Sequence, residues 1–188
     1  MTSWRNMRVT MILNVTCNDR RWFAETDTEV STVVAEVLGS LQGWNKRGEH
    51  WHPGTIAWFS WSDRRHVSDA DMPNNFLVVS LNRDSGYGGL IWFVNSGYPG
   101  PETDEVLDNI WVSDNPNPPD FDTEVVSNPG EPYWFDPRST LPIEEIEAAV
   151  HEFCRVRTGI RPECVQWTLG EVSGRRADRE LETDLPPY

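Results

Sequence analysis

The stretch from Phe76 to Val94 reads FLVVSLNRDSGYGGLIWFV, and it decides the fold. Two apolar runs, residues 76–81 and 90–94, flank Asn82-Arg83-Asp84-Ser85-Gly86-Tyr87-Gly88-Gly89. β-Branched and aromatic residues on both sides of a glycine-rich break indicate an antiparallel β-hairpin. The break is not a phosphate loop, because it has no Lys and leads into a second strand rather than a helix. The hairpin supplies the middle of a sheet, and the flanking sequence must supply its neighbours and its cover.

Upstream, residues 8–15 read as a strand. Thr26-Asp27-Thr28-Glu29 has the pattern of a capping box. Val30, Val33, Val34, Val37, Leu38 and Leu41 then recur at helical spacing, with Gly39 and Gly43 as terminators. Residues 43–53 read as a loop, 55–61 as an aromatic-rich strand and 64–75 as a polar connection. Downstream, residues 109–113 form a further strand, and 114–132, dense in Pro, Asn, Asp and Gly, a long irregular loop. A second helix is predicted over 139–159. Ser139 or Thr140 would cap it, Ile143, Ile146, Val150 and Phe153 would form its buried stripe, and Gly159 would stop it. Residues 164–169 alternate as a last strand, placing Val165, Trp167 and Leu169 on one face. The order β-α-β-β-β-β-α-β indicates an α+β fold: a mainly antiparallel sheet with two main helices packed on it. A chain of 188 residues suits one domain, here 1–170, with 171–188 as a polar, loosely held tail.

Charge is placed unevenly. Of the thirty Asp and Glu, twenty lie in 102–188 against seven Arg, while 1–101 is nearly balanced. From Asp84 to Asp136 there is no Lys, Arg or His, yet eleven acids are interleaved with nine aromatics. Phosphate contacts need cations, so this distribution speaks against nucleic-acid binding and against an anionic membrane surface. It favours a positively charged protein partner, attracted by field and held by ring faces. The loops are the natural place for that contact, with Trp111, Asp114, Asp120, Phe121, Asp122, Tyr133 and Trp134 as its candidate residues. The first residues hold no signal-like apolar run, and no stretch approaches the roughly 20 apolar residues of a membrane span. Three cysteines without paired spacing suit a reducing compartment, so a cytoplasmic location is expected.

Metal and catalytic patterns are thin. His50 and His52, two apart, could share an ion with Glu49 or Asp63 in a small metal-dependent hydrolase, but no third ligand stands at a recognised spacing. Asp69/Asp71 and Asp120/Asp122 are Asp-x-Asp pairs in acid-rich turns, without a calcium-loop pattern. His66, His151, Cys154 and Cys164 have no partner pattern for nucleophilic chemistry. An acidic mimic of nucleic acid that regulates a DNA-binding protein would share the same charge pattern.

Three runs together carry a resemblance. They are Asp136-Pro137-Arg138-Ser139-Thr140-Leu141-Pro142, then Thr158-Gly159-Ile160-Arg161-Pro162-Glu163-Cys164-Val165-Gln166-Trp167, and the hairpin turn from Asp84 to Leu90. Together they resemble the first-numbered Imm family of immunity proteins, which belong to bacterial polymorphic toxin systems. The resemblance spans about residues 8–169. It implies an α+β antitoxin that binds and silences a cognate toxin as a heterodimer, often a deaminase-superfamily toxin, without enzymatic activity or cofactor. Its matched residues are structural in character, so it transfers no contact residue.

Overall fold

The computed structural model describes residues 10–179, apart from 44, 48, 49, 69, 70, 72, 98–102, 104 and 132. For 45–47, 50 and 51 it describes the backbone alone. The elements follow in the order β1 (Ile12–Cys17), β2 (Arg20–Ala24), α1 (Asp27–Ser40), β3 (Asn45–Arg47), β4 (His50–His52), β5 (Ile56–Ser62), β6 (Asn75–Asn82) and β7 (Tyr87–Val94). Then come β8 (Ile110–Asp114), β9 (Val126–Asn128), β10 (Tyr133–Trp134), a 3-10 turn (Pro137–Ser139), β11 (Thr140–Pro142), α2 (Ile143–Val156) and β12 (Gln166–Gly170). The fold is α+β, as the hairpin and its neighbours predict. The main sheet runs β12-β8-β7-β6-β5-β1-β2, with β11 sharing one edge of β7 with β8, and its pairings are antiparallel.

The β6–β7 hairpin is its centre, in register from Asn75↔Val94 to Asn82↔Tyr87. Its turn is therefore shorter than the glycine run suggests. Only Gly86, at φ +80°, lies in the turn, while Gly88 and Gly89 lie inside β7. Packing explains them. A Cβ on Gly88 would stand 2.6 Å from the Ser80 carbonyl oxygen and 2.9 Å from Ile146, and one on Gly89 would stand 2.6 Å from the Phe135 ring. The two glycines let α2 approach one face of β7 and residue 135 approach the other.

Alternation gives the sheet two apolar faces. Leu13, Val15, Phe59, Trp61, Leu77, Val79, Leu81, Leu90 and Trp92 meet Val34, Val37, Leu38, Ile146, Val150 and Phe153 of the helices in the main core. Phe76, Val78, Ile91 and Val112 point to the opposite face and are covered by Val125 and Phe135. The acid-rich connection 115–136 thus lies across the helix-free face. Trp61 and Trp92 are fully buried, and their indole N–H groups donate to the carbonyls of Phe153 (3.1 Å) and Gly159 (3.0 Å).

The helices obey their sequence signals unequally. In α1, Thr26 accepts from the Glu29 amide and the Glu29 carboxylate accepts from the Thr26 amide, the expected capping box. In α2 the expected caps are absent. Ser139 belongs to the 3-10 turn and Thr140 to β11, both are buried, and the helix begins at Ile143 after Pro142. The Ile143 amide donates instead to the Gly86 carbonyl of the hairpin turn, which replaces a side-chain cap. The helix stops at Arg157, which takes the left-handed conformation itself, two residues before Gly159.

Other differences have a shared cause. β2, β9, β10 and β11 are two to five residues long and polar or mixed, so they carry no periodicity of their own; their pairing partners make them strands. Residues 45–47 and 50–52, within the stretch read as loop, form the two-stranded β3–β4 sheet. Leu169 does not join Val165 in the core. It stands on the outer strand β12, exposed. The segment 171–179, expected to be loose, is held: Arg176 is buried, and the Ala177 amide donates to the Leu169 carbonyl at 2.9 Å. Residues 180–188 of the expected tail lie outside the described residues.

Candidate partner-binding flank

The end of β8, the connection that follows it, β10 and the segment 171–179 converge on one flank. Arg176 is the pivot, reached from beyond β12. Its guanidinium donates to Asp114 at 2.6 Å and Asp178 at 2.8 Å, and contacts the Arg138 carbonyl at 3.3 Å. Arg138 in turn pairs with Asp136 at 2.8 Å and Asp178 at 3.8 Å. Hydrogen bonding from Arg176 holds the Asp178 carboxyl below its ordinary range. Burial works upward on Asp136, but the bonds from Arg138 outweigh it and keep its pKa low as well. These are committed ion pairs, so Asp114 and Asp136 reach the surface with their charge largely matched.

Two shallow hollows lie near this network on opposite faces of the sheet, the first on the helix-free cover and the second on the helix side of β8 and β12. One is lined by Pro119, Asp120, Phe121, Asp122, Trp134, Phe135 and Pro137. Here Phe121 is 48% and Trp134 37% exposed. Asp120 and Asp122 make no ion pair among the described residues, and one Asp122 oxygen accepts from the Glu124 amide at 2.9 Å. The other hollow is lined by Trp111, Trp167, Thr168, Leu169, Ala177 and Asp178. The segment between them is anchored to both sides. The Ser127 hydroxyl donates to the Ser173 carbonyl at 2.6 Å, and Gly174 packs against Ser127 and Phe135.

The seven residues singled out from the sequence therefore take different places and roles, Trp111 on the helix side of the sheet. Asp120, Phe121, Asp122 and Trp134 share one hollow. Trp111 lines the other, half-buried, with its N–H donated to the Val106 carbonyl and Arg161 over its ring at 4.4 Å. Asp114 serves Arg176. The Tyr133 ring is covered by Arg175 at 4.0 Å. Sequence reading missed Arg138, Arg175, Arg176 and Arg179 as parts of this surface. They stand outside the acid-only segment, and only the fold returns them to it. It also missed Leu169 as an exposed residue, because alternation alone predicts burial.

The other candidate chemistry finds little support. Among the described residues no group of three His, Cys, Asp or Glu could hold a metal. His52 and Asp63 are exposed, and the side chain of His50, with residues 49 and 69, lies outside the described set. Cys17 and Cys154 are buried, and burial pushes the Cys154 thiol up to about 12. Cys164 is exposed, but burial of its thiol and the neighbouring Glu152 carboxylate also push it up to about 12. Neither is a poised nucleophile at neutral pH. A concavity of about 370 Å³ on the uncovered β5–β1–β2 face is walled by Trp58 and Phe76. Two of its polar groups are engaged locally: the Asn14 amide bonds the Ile12 and Arg64 carbonyls and the His66 amide, and Asp71 caps Val67 and Ser68. No helix among the described residues is long and apolar enough to cross a membrane.

An α+β domain that sets the exposed rings of Phe121 and Trp134 beside Asp120 and Asp122 in one hollow has the character of a protein that works by contact with another macromolecule. Comparison with known families agrees. The model of the family Immunity protein Imm1 matches residues 18–169, and the chain belongs to that family. Membership gives its class, an immunity protein, and implies a cognate toxin as its partner. No curated protein and no solved structure gives a significant match.

Proposed function

We propose that this immunity protein neutralises its toxin by stoichiometric binding, as a heterodimer in the cytoplasm, through the flank that carries Asp120, Phe121, Asp122 and Trp134. The observation that carries the reading is distributional. Phe121 and Trp134, two of the five large hydrophobics exposed among the described residues, line one hollow together with Asp120 and Asp122. Exposed rings beside unpaired carboxylates suit a cationic surface, which charge complementarity steers and desolvated aromatics retain. A toxin that acts on nucleic acid needs such a surface to hold phosphates. Covering it denies the substrate access, and for a deaminase-superfamily toxin it is enough to keep the flipped base from its pocket. No catalytic step or cofactor is required of this chain.

The test is co-purification with the cognate toxin domain, followed by toxin activity at equimolar ratio. The double variant Asp120→Lys, Asp122→Asn reverses one charge and keeps the acceptor that Glu124 needs. It should weaken binding at low salt about tenfold or more and restore toxicity. Unchanged affinity would remove the acidic hollow from the interface.

A further inference from the structure

We propose that the concavity on the β5–β1–β2 face is a binding site for a small aromatic carboxylate, held by its ring against Trp58 and Phe76 and by its acid at Arg21. The site shares no lining residue with the acidic hollow and does not rest on the binding reading above. Its aromatic wall is fixed. Phe76 is 7% exposed, meets Trp58 edge-to-face at 4.9 Å and stacks on Phe93 at 5.1 Å. Its rim is fixed too. The His66 amide donates to the Asn14 side chain at 2.7 Å, and Asn14 donates to the Arg64 carbonyl at 3.1 Å. The Asp71 carboxylate accepts from the Val67 and Ser68 amides, each at 3.1 Å. The concavity is thus formed before any ligand arrives, and its volume of about 370 Å³ suits a molecule of one or two rings.

The ligand class follows from the groups that line the concavity. Ser60 is 5% exposed, and its hydroxyl makes no hydrogen bond among the described residues. Alternation turns it to this face, since Phe59 and Trp61 on either side belong to the helix-side core. The Thr16 hydroxyl on the neighbouring strand has no partner among the described residues either. Recessed hydroxyls without partners favour a ligand with a polar edge over a purely apolar one. Charge then gives the sign. The Asp71 charge is spent on the Val67 and Ser68 amides and on the Ser68 hydroxyl at 3.2 Å. Burial lowers the His66 pKa, so its ring is neutral at neutral pH. Arg21, directly across from Thr16 on β2, is the cation of the wall. A guanidinium has five N–H donors, so it can serve a carboxylate beside another partner. A ring on Trp58 and Phe76, with a polar edge at Ser60 and Thr16 and an acid at Arg21, satisfies each of these groups. A cationic toxin surface is a poor occupant, because Arg21 has the same sign and Phe76 and Ser60 lie too deep for a flat contact.

The experiment titrates the isotopically labelled full chain with indoleacetate and follows the Thr16 and Ser60 amides and the Trp58 indole N–H by NMR. Indole tests the ring without the acid, and acetate the acid without the ring. Indoleacetate should shift these signals saturably, acetate should leave them in place, and indole should bind about tenfold more weakly or worse. Arg21→Gln, at an exposed position, should weaken indoleacetate about tenfold and leave indole unchanged. Ser60→Leu should abolish binding of both by filling the concavity. Thermal unfolding is the folding control, and if Ser60→Leu does not fold, Arg21→Gln decides alone. No saturable shift with indoleacetate overturns the site, and equal shifts with acetate overturn it as an adventitious ion only. Equal affinity for indole, or an Arg21→Gln variant that binds as the parent does, overturns the aromatic-acid assignment. If the cognate toxin domain shifts the same signals and Ser60→Leu abolishes its binding, the concavity belongs to the toxin and the small-molecule site is overturned.

Discussion

Gly159 shows what one residue decides. From the sequence it reads as a helix stop, yet α2 has already ended at Arg157. Its place is fixed by two other facts: it sits at φ +78°, and a Cβ there would lie 2.4 Å from the Asn75 amide. Asn75 is fully buried and clamps β5 to the start of β6, accepting from the Trp61 amide at 3.0 Å and donating to the Trp61 carbonyl at 2.8 Å. The Gly159 carbonyl also receives the Trp92 indole. Gly159→Ala must therefore strain the backbone and displace a buried amide. The expected cost is about 2–4 kcal/mol of unfolding free energy, measured by urea titration. Gly39, with nothing within 4 Å of a Cβ and no positive φ, is the control: Gly39→Ala should be neutral or slightly stabilising in the same measurement. The letter Gly looked alike at both positions in the sequence; the neighbours that separate them are supplied by distant strands.

At the scale of elements, what was legible had a pattern of its own and what was not had a partner. α1 and α2 announce themselves by apolar residues at helical spacing, β5 and the β6–β7 hairpin by dense runs of β-branched and aromatic residues, β6 being buried along its whole length. β11 and the held segment 171–179 do not, since their stability comes from Gly88 and Gly89 on one side and Arg176 on the other. The same contrast governs the site: acids and aromatics were visible in the sequence, whereas their sorting into ion-paired and unpaired groups waited on arginines from beyond residue 136. Arg176 is 6% exposed between half-exposed carboxylates. Arg176→Met should cost about 2 kcal/mol and render 171–179 sensitive to limited proteolysis before the rest of the fold. A second junction depends on pH. Glu152 of α2 accepts from the Glu163 and Cys164 amides, each at 3.0 Å. Burial works to raise its pKa, but these bonds and that of the Cys164 thiol outweigh it, so the folded-state value lies below the ordinary one. On acidification the unfolded chain then takes up the proton first. The contribution is complete above about pH 4.3, the ordinary Glu value, and is lost as pH falls through the lower folded-state value. Urea titrations from neutral pH downward should show stability falling below about pH 4, with a shallower fall in Glu152→Gln.

For the whole molecule, where charge stands matters more than how much there is. The N-terminal half is nearly neutral and includes the β1, β2 and β5 strands at one side of the sheet. The excess acid lies from residue 102 onward, which includes β8, β12 and the cover of the helix-free face at the other side. On the proposed reading this uneven placement acts as a charge dipole whose field orients a cationic partner before contact, without any single strong ion pair. Such steering has a measurable signature in the parent protein. Its association rate with its cognate toxin domain should fall about tenfold or more as salt rises through the physiological range, because the Debye length shrinks to about 8 Å there. Dissociation should change far less, since seated aromatics are not screened. The variant Arg64→Glu, Arg21→Glu, which adds acid on the far side of the sheet, separates the dipole from net charge. It should leave association nearly unchanged if orientation governs the encounter, and accelerate it if total charge does. An association rate insensitive to salt would show that shape alone brings the two proteins together.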